Sequence, residues 1–290
     1  MSKIKIGFIA NDLSVGGVSA VLINLCNRLN KELYEVHLLL LSANQKMETI
    51  VPLDSSVHKH IFDYPFSDNY SLLSYFKAAF NKKITLAKSA PVLNKIADLN
   101  IDILHFHTLP RQLVIGQLAK KANKNLSLIY TDHLVRLEDS GYSWYQKLAL
   151  EFAHKRFYSN YHVIAVSNAV LNSLERNGRH DIKCRLQLLE NSINIEEYSR
   201  IKPLDNFHEN HFIYVSRMNH HKGQDTLIKA WLKLNNPNKG KLVLVGPDES
   251  NGSFHKMAKE DDSIIFTGSI STIKQYLENS NDAVFPSQKQ

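Results

Sequence analysis

Short apolar runs rich in β-branched residues alternate along the chain with longer segments whose apolar residues recur at helical spacing. This alternation is typical of an α/β fold with parallel strands. Many runs are apolar at nearly every position, as strands are when helices cover both faces of their sheet. The pattern predicts strands at Ile4–Ile9, Val36–Leu41, Ile103–His107, Leu126–Tyr130, His162–Ala165, Leu186–Leu189, Phe212–Val215, Leu242–Val245, Ser263–Phe266 and Ala283–Phe285, and helices at Ser19–Leu29, Leu148–Phe157, Gln224–Leu234 and Ile273–Asn279.

The strand–helix pattern weakens around Tyr198–Glu209, where Pro203 and several charged residues replace the apolar runs. Beyond this segment the same pattern starts again. A chain of 290 residues is also long enough for two domains, at roughly 100–200 residues each. We therefore predict a Rossmann-like N-terminal domain at residues 1–200 and a second, partial Rossmann-like domain at residues 201–290.

The composition fits a globular protein of a reducing compartment. Hydrophobic residues make up 43% and charged residues 22% of the chain, which argues against long disordered segments. The N-terminal apolar stretch Ile6–Ala10 is too short for a signal peptide, and no run approaches the roughly 20 apolar residues of a membrane span. The cysteines, Cys26 and Cys184, provide no disulfide framework and fit the cytoplasm.

The formal net charge of +7 suggests anionic partners such as phosphates, acidic lipid headgroups or nucleic acid. Nucleic acid is not favoured, because the basic residues are scattered and do not form a stripe with interleaved aromatic residues. The segment Tyr75–Leu99 mixes apolar side chains with five lysines. This pattern fits a basic amphipathic element on acidic lipid, and a helix packed on the domain with a charged outer face gives the same pattern.

The first predicted strand leads into a loop with two adjacent glycines, Gly16 and Gly17, and then into a helix. Glycine lets the backbone approach a ligand closely, and a helix N-terminus attracts anions. The G-x-G-x-x-G pattern is absent, and the second strand ends in Leu40, Leu41 and Ser42 without an acidic residue, which argues against an oxidoreductase. The glycine pair alone fits a tight turn as well as a ligand site.

A second candidate site follows the strand Phe212–Val215. Arg217 lies just past the carboxyl end of this strand, and Lys222 precedes the next helix. Ligands of open α/β sheets bind at such strand ends. Two cations beside a helix N-terminus could hold a diphosphate, although a solvated basic turn has the same sequence.

The chain resembles the GT-B glycosyltransferases of the large retaining family 4, which transfer sugars from nucleotide donors. The resemblance covers nearly the whole chain, in family order, through GGVSAVLINL, IDILHFH, IYTDH, HVIAVSNAV, LLENSINIEEY, VSRMNHHKGQDTLIKAW, LVLVGPD, IIFTGS and DAVFPS. It implies two Rossmann-like domains facing across a cleft, a nucleoside diphosphate sugar as co-substrate, a glycan or lipid-linked acceptor, and no metal or other cofactor.

The resemblance also implies roles for individual residues. Arg217 and Lys222 would hold the donor diphosphate, and Gly17, with Gly16, would lie near donor and acceptor. His133 of YTDH would line the cleft near the transferred sugar as the catalytic candidate, although a plain loop histidine fits the sequence as well. Asn191 and Asn194 lie where the family has Asn-Gly-Val-Asp, and here Ser192 replaces the glycine.

Two further histidines, His105 and His107, alternate on one face of a predicted strand. Without a third ligand they make a poor zinc site, and we expect no metal there.

The resembled family continues beyond the PS motif with an acidic segment, whereas this sequence ends with Gln288, Lys289 and Gln290. We expect impaired transfer if both acids are absent from the protein. The alternative is a catalytically inactive remnant that binds acceptor or nucleotide. We expect the protein in the cytoplasm, with peripheral contact at the inner face of the plasma membrane as a further expectation.

Overall fold

The computed structural model divides into two compact units, unit one at residues 1–192 and unit two at residues 193–290. The sequence predicts a division after residue 200, eight residues from this boundary. The junction predicted at 198–209 lies outside the described residues and stays a prediction. The structure describes residues 2–14, 16–42, 52–64, 82–107, 110–134, 144, 158, 160–176, 185–193, 195, 211–219, 222–234, 236, 238–259, 261–270 and 273–286.

Unit one contains a parallel sheet with helices between its strands. The strands run in the order β3-β2-β1-β4-β5-β6-β7. They are β1 (Ile4–Ala10), β2 (Tyr34–Leu40), β3 (His58–Ile61), β4 (Ile103–His107), β5 (Ser127–Asp132), β6 (His162–Ala165) and β7 (Arg185–Leu188). The helices are α1 (Gly17–Arg28), α2 (Lys82–Asp98), α3 (Val114–Ala122) and α4 (Asn168–Arg176).

The strand order gives unit one a switch point between β1 and β4. The chain leaves β1 toward β2 and β3, and then returns to pair β4 with the other side of β1. In open parallel sheets, ligands bind outside the carboxyl ends of the strands at such a point. The candidate ligand-binding residues of unit one are therefore those that follow β1, β4 and the adjacent β5.

Apolar side chains fill both faces of this sheet. Phe8 of β1 packs with Leu22 of α1 on one face, whereas Ile9 packs with Phe106 and Val114 of β4 and α3 on the other. Because both faces are covered, the strands can be almost wholly apolar. This arrangement confirms the prediction, made from the apolar runs, that both faces of the sheet are covered.

Unit two repeats this topology on a smaller scale, in a parallel sheet of order β10-β9-β8-β11. Trp231, Tyr214, Leu244 and Phe254 form the centre of its core. The strands are β8 (His211–Val215), β9 (Lys241–Val245), β10 (Ile264–Gly268) and β11 (Asp282–Ala283). The helices are α5 (Gln224–Lys233), α6 (Ser253–Ala258) and α7 (Lys274–Glu278).

The structure confirms the predicted strands and most predicted helices, with small shifts at their ends. The predicted helix Leu148–Phe157 lies outside the described residues. Strand β3 was not predicted, because its sequence HKHI is polar and largely exposed at the edge of the sheet. Helix α3 was not predicted either, because it is short and follows a turn of 3₁₀ helix at Pro110–Leu113.

The basic segment Tyr75–Leu99 includes helix α2, whose side chains are described from residue 86. Val92 and Ile96 are buried in the core of unit one. In this part of the segment the structure thus matches the alternative of a helix packed on the domain. No helix within the described ranges has the length and apolar character needed to cross a membrane.

Cys26 is fully buried between α1 and the sheet. Burial raises the pKa of its thiol to about 12, with Lys31 opposing the shift. A thiol held in this form is an inert core side chain. Cys184 lies outside the described residues.

Candidate functional site

The glycine loop of unit one connects β1 to α1. Gly16 has an extended backbone with φ 167° and ψ 164°, a conformation that any residue can adopt. Among the described residues, a Cβ on Gly17 would meet no atom within 4 Å, and one on Gly16 would meet Ser14 O at 3.9 Å. Within this described part of the chain, neither packing nor backbone angles therefore require glycine here. The choice between a ligand site and a tight turn stays a prediction.

Asn11 follows β1 directly and is held by Gln112. The Gln112 amide nitrogen donates a hydrogen bond to Asn11 Oδ1, and Gln112 itself is fully buried. This contact ties the end of β1 to the 3₁₀ turn that follows β4. Sequence reasoning missed both residues, because the contact spans 101 positions along the chain.

Three histidine rings lie together at the carboxyl ends of β4 and β5. His107 ends β4 and His133 follows β5, and a hydrogen bond of 2.9 Å joins Nδ1 of His107 to Nε2 of His133. The rings of His105 and His107 have centroids 4.4 Å apart. Nε2 of His105 lies 2.7 Å from the Thr131 hydroxyl. The predicted residue His133 thus lies beside His105 and His107, the two histidines that the sequence suggested only as possible metal ligands.

Burial keeps this histidine cluster uncharged. It lowers the pKa of His105 to about 3, with repulsion from His133 adding to the shift. Burial also lowers the pKa of His107, helped by His105 and His133, and that of His133, where the Asp132 carboxylate opposes the shift. The three rings are therefore neutral near pH 7, each carrying one proton to share.

Asp132 fixes the backbone that carries His133. This residue ends β5 and is 1% exposed. Its Oδ2 accepts a hydrogen bond of 3.1 Å from the Tyr158 hydroxyl, and its Oδ1 accepts one of 3.3 Å from the backbone N–H of Leu134. These contacts hold the turn after β5, so His133 has a defined position although it lies in a loop.

In the described part of the chain, no group of three or more His, Cys, Asp or Glu side chains is arranged to hold a metal ion. The polar contacts of His105 and His107 are to Thr131 and His133. The described contacts that hold the cluster together are therefore hydrogen bonds and ring packing.

Asn191 lies after β7, away from the strands that carry the histidine cluster. It is exposed, in the irregular segment after β7, and Ser192 beside it is exposed as well. Strand β7 is the edge strand, with β6 between it and β5, so Asn191 and His133 follow different strands. Asn194 lies outside the described residues.

Arg217 and Lys222 lie in the connection between β8 and α5 of unit two, as predicted from the sequence. The Tyr214 hydroxyl donates a 2.7 Å hydrogen bond to the Lys222 carbonyl, which ties the connection to β8. Nη1 of Arg217 lies 3.1 Å from Oε1 of Glu249, and both side chains are nearly half exposed. An exposed ion pair of this kind contributes at most about 1 kcal/mol. Glu249 also accepts a 3.1 Å hydrogen bond from the Asn219 amide through Oε2, so Arg217 and Asn219 share one exposed carboxylate partner.

Gln224, the first residue of α5, organises the same connection from inside the domain. Its side chain is fully buried, and its amide nitrogen donates hydrogen bonds to Ser216 Oγ at 2.8 Å and to the Arg217 carbonyl at 2.9 Å. These bonds fix the backbone of Arg217 against the start of α5. Sequence reasoning missed Gln224 and Glu249, although a glutamine at a position facing the core was a signal for the former.

Two glycines let backbone segments approach this connection closely. Gly223 precedes α5 with φ +79°, and a Cβ there would overlap the Pro286 carbonyl. Gly246 follows β9 with φ +138°, and a Cβ there would overlap the Ser216 carbonyl. The connection is thus enclosed by the ends of β9 and β11, as expected at the carboxyl edge of a parallel sheet.

Each unit has a parallel sheet with candidate residues at the ends of its strands. Comparison with solved structures shows that the chain has the GT-B fold of glycosyltransferases. It belongs to Glycosyltransferase Family 4, whose model matches residues 15–197. A second model, Glycosyl transferases group 1, matches residues 209–290. The chain is therefore a glycosyltransferase, which confirms the class that the sequence motifs had suggested. None of the curated proteins compared with it is a significant match.

Solved structures with this fold include HepE of Anabaena in complex with UDP and glucose, with a TM-score of 0.66 and 18% identity, covering 98% of this chain and 74% of that one. Sucrose-phosphate synthase of Thermosynechococcus elongatus has a TM-score of 0.71 and 17% identity, covering 98% and 76%. An α-glucosyltransferase in complex with UDP and a 13-mer DNA has a TM-score of 0.62 and 15% identity, covering 100% and 74%.

Proposed function

We propose that this glycosyltransferase moves a hexose-type sugar from a nucleoside diphosphate sugar to a glycan or lipid-linked acceptor, with retention of configuration. The observation that carries the donor class is the pair Arg217 and Lys222 at the carboxyl end of β8, beside the N-terminus of α5. HepE, which shares the fold, was solved with UDP and glucose.

The chemistry that these residues offer is charge stabilisation. Cleaving the bond between sugar and diphosphate builds negative charge on the departing phosphate oxygens. Arg217 can meet two of these oxygens, Lys222 adds a second charge, and the N-terminus of α5 adds backbone N–H groups. His133 in unit one is proposed to contact the transferred sugar, and Gly16, Gly17 and Asn191 are proposed to contact donor or acceptor. No metal or further cofactor has a role in this proposal.

The donor site can be tested by calorimetry with UDP, GDP and ADP on the full chain. Replacing Arg217 by Ala removes charge-assisted hydrogen bonds of about 1.5–3 kcal/mol, so we expect nucleotide affinity to fall about ten- to hundredfold. Lys233→Ala is the matched control, because Lys233 is an exposed cation at the other end of α5. Equal affinity in Arg217→Ala and the parent protein would refute the donor assignment.

Binding without turnover is the alternative role of this chain. A coupled assay that follows nucleotide release from a panel of UDP-, GDP- and ADP-sugars distinguishes the two. Release that depends on added glycan or membrane extract supports transfer. Tight nucleotide binding with no release from any donor supports the binding role.

A nucleic acid is the second candidate acceptor, because the chain carries a net charge of +7 and one structure of this fold was solved with DNA. Its binding would weaken steeply with salt, since phosphate contacts release counterions. Salt-sensitive binding of a 13-mer duplex, together with sugar transfer to it, would favour this candidate.

We propose further that the protein acts in the cytoplasm and contacts acidic membrane at the inner face of the plasma membrane. The net charge of +7 supports the contact with acidic lipid. Cosedimentation with vesicles of phosphatidylserine and phosphatidylcholine tests it, with pure phosphatidylcholine vesicles as the control. Equal recovery with both vesicles would contradict the membrane contact.

A further inference from the structure

We infer that His107 is a positioning residue: its Nδ1–H donates to Nε2 of His133 and so fixes the proton of His133 on Nδ1, which makes His133 a hydrogen-bond donor at that atom. The hydrogen bond between the two rings requires no substrate. The use of His133 against a bound sugar rests on the proposed function.

The two nitrogens are close enough to form a hydrogen bond, so one of the two rings must donate a proton to the other. The 2.9 Å separation of His107 Nδ1 and His133 Nε2 is that of an ordinary hydrogen bond. Both rings are neutral, so each has one N–H and one lone pair. Only two arrangements satisfy the contact, and they differ in which ring donates.

The burial of His107 separates the two arrangements. His107 is 5% exposed, and its Nε2 is buried with no hydrogen-bond partner among the described residues. If His133 donated, the proton of His107 would be on this Nε2 and would form an orphaned buried N–H, which native proteins almost always avoid. If His107 donates, Nε2 holds only a lone pair. The second arrangement is therefore favoured.

The position of the proton on His133 follows, because a neutral imidazole carries one N–H and one lone pair. Its Nε2 lone pair is occupied by His107, so its own proton is on Nδ1. No hydrogen bond joins that nitrogen to a described residue. A ligand oxygen that reaches Nδ1 would therefore meet a donor, whereas Nε2 is not available as a base. This assigns an electrophilic, proton-donating role in place of general-base chemistry.

The surroundings keep the pair in place. The ring of His105 packs against His107, with the ring of Phe8 6.1 Å away, and the carboxylate of Asp132 holds the turn of His133. Because these contacts are formed within unit one, the proton arrangement is a property of the folded protein before any ligand binds.

The direct test is long-range ¹H–¹⁵N correlation spectroscopy on the full chain with ¹⁵N-labelled histidine near pH 7.5. Loss of signals in His107→Phe and His133→Phe assigns the two rings. We expect a protonated Nδ1 and an unprotonated Nε2 in both His107 and His133. A protonated Nε2 in either ring would overturn the inference.

Three substitutions separate positioning from packing. Asparagine at 107 keeps an N–H donor near the place of Nδ1, so His107→Asn should preserve the proton on Nδ1 of His133. His107→Leu removes the donor, and His133 should then show a mixture of both tautomers. His162→Gln, at an exposed position on β6, is the matched control, in which His133 should stay as in the parent. A tautomer of His133 unchanged by His107→Leu, or changed equally by His162→Gln, would refute the role of His107.

The activity measurement distinguishes this inference from the proposed function. With any UDP-sugar that is turned over, His107→Leu should lower kcat about tenfold, the effect of one lost hydrogen bond, and His107→Asn should restore most of it. Equal kcat in His107→Leu and the parent would refute the positioning role. Absence of UDP binding and turnover in the parent would refute the proposed function and leave the tautomer result standing.

Discussion

At the scale of single residues, burial sets the protonation of the histidines at the ends of β4 and β5. The pKa of His105 is lowered from 6.5 to about 3, and those of His107 and His133 are lowered as well, mainly because burial disfavours the charged ring. Between these lowered values and the ordinary value, the unfolded chain binds more protons than the folded protein. Acid therefore favours unfolding through these side chains.

We expect the free energy of unfolding to be highest above about pH 6.5 and to fall as the pH drops toward 3. His105 contributes a slope of up to about 1.4 kcal/mol per pH unit in this window, and the lowered pKa values of His107 and His133 act in the same direction below pH 6.5. Urea unfolding at pH 7 and pH 5 measures the effect, and His105→Gln should reduce the difference between them. His162→Gln, at an exposed position on β6, is the matched control. An unchanged difference in His105→Gln would contradict this explanation.

Gly223 is a second residue whose role can be isolated. Gly223→Ala should lower the free energy of unfolding by roughly 2–4 kcal/mol, because a positive φ strains alanine and the Cβ would overlap the Pro286 carbonyl. Gly252→Ala provides the control, since Gly252 has a similar φ of +77° but no atom within 4 Å of its Cβ position. Equal losses in both variants, measured by urea unfolding, would show that contact with Pro286 adds nothing.

At the scale of elements, the packing of α3 on the sheet depends on one small residue. A Cβ on Gly116 would overlap the Tyr161 hydroxyl, which donates a 2.7 Å hydrogen bond to the Leu113 carbonyl, and would lie 3.0 Å from the ring of Phe106. Gly116 thus allows α3 to approach β4 closely.

We expect Gly116→Ala to destabilise the protein by roughly 1–3 kcal/mol, although alanine favours a helix by about 1 kcal/mol in isolation. Gly17→Ala in α1 should be neutral or stabilising, because its Cβ would meet nothing within 4 Å. Thermal or urea unfolding of both variants makes the comparison. A stabilised Gly116→Ala would show that α3 is not held against Tyr161.

The elements also show how far the sequence can be interpreted. Apolar runs predicted the strands well, since periodicity is a local property that burial on both faces imposes. The polar edge strand β3 lacked that signal. At the candidate site, local motifs suggested His133 and Arg217, whereas their contacts with His107 and Glu249 became visible only in the structure.

At the scale of the whole molecule, each unit has its own buried core. Clusters in unit one and in unit two contain residues of that unit alone. Each unit therefore meets the basic condition for folding separately.

We expect a fragment of residues 1–192 to unfold cooperatively on its own, with a near-native circular dichroism spectrum. Limited proteolysis of the full chain should cut first between Ile201 and His211 and leave a fragment close to this length. Protection of that segment, with the earliest cleavage inside unit one, would contradict the predicted junction.

The short strand β11 carries one more consequence, for synthesis on the ribosome. Asp282 and Ala283 pair with β8, and Pro286 lies against Gly223, beside the connection that carries Arg217 and Lys222. Residues 282–286 follow α5 in the chain, so the connection that carries Arg217 and Lys222 leaves the ribosome before the segment that packs against it. During synthesis, unit one can therefore form before this connection gains its contact with Pro286.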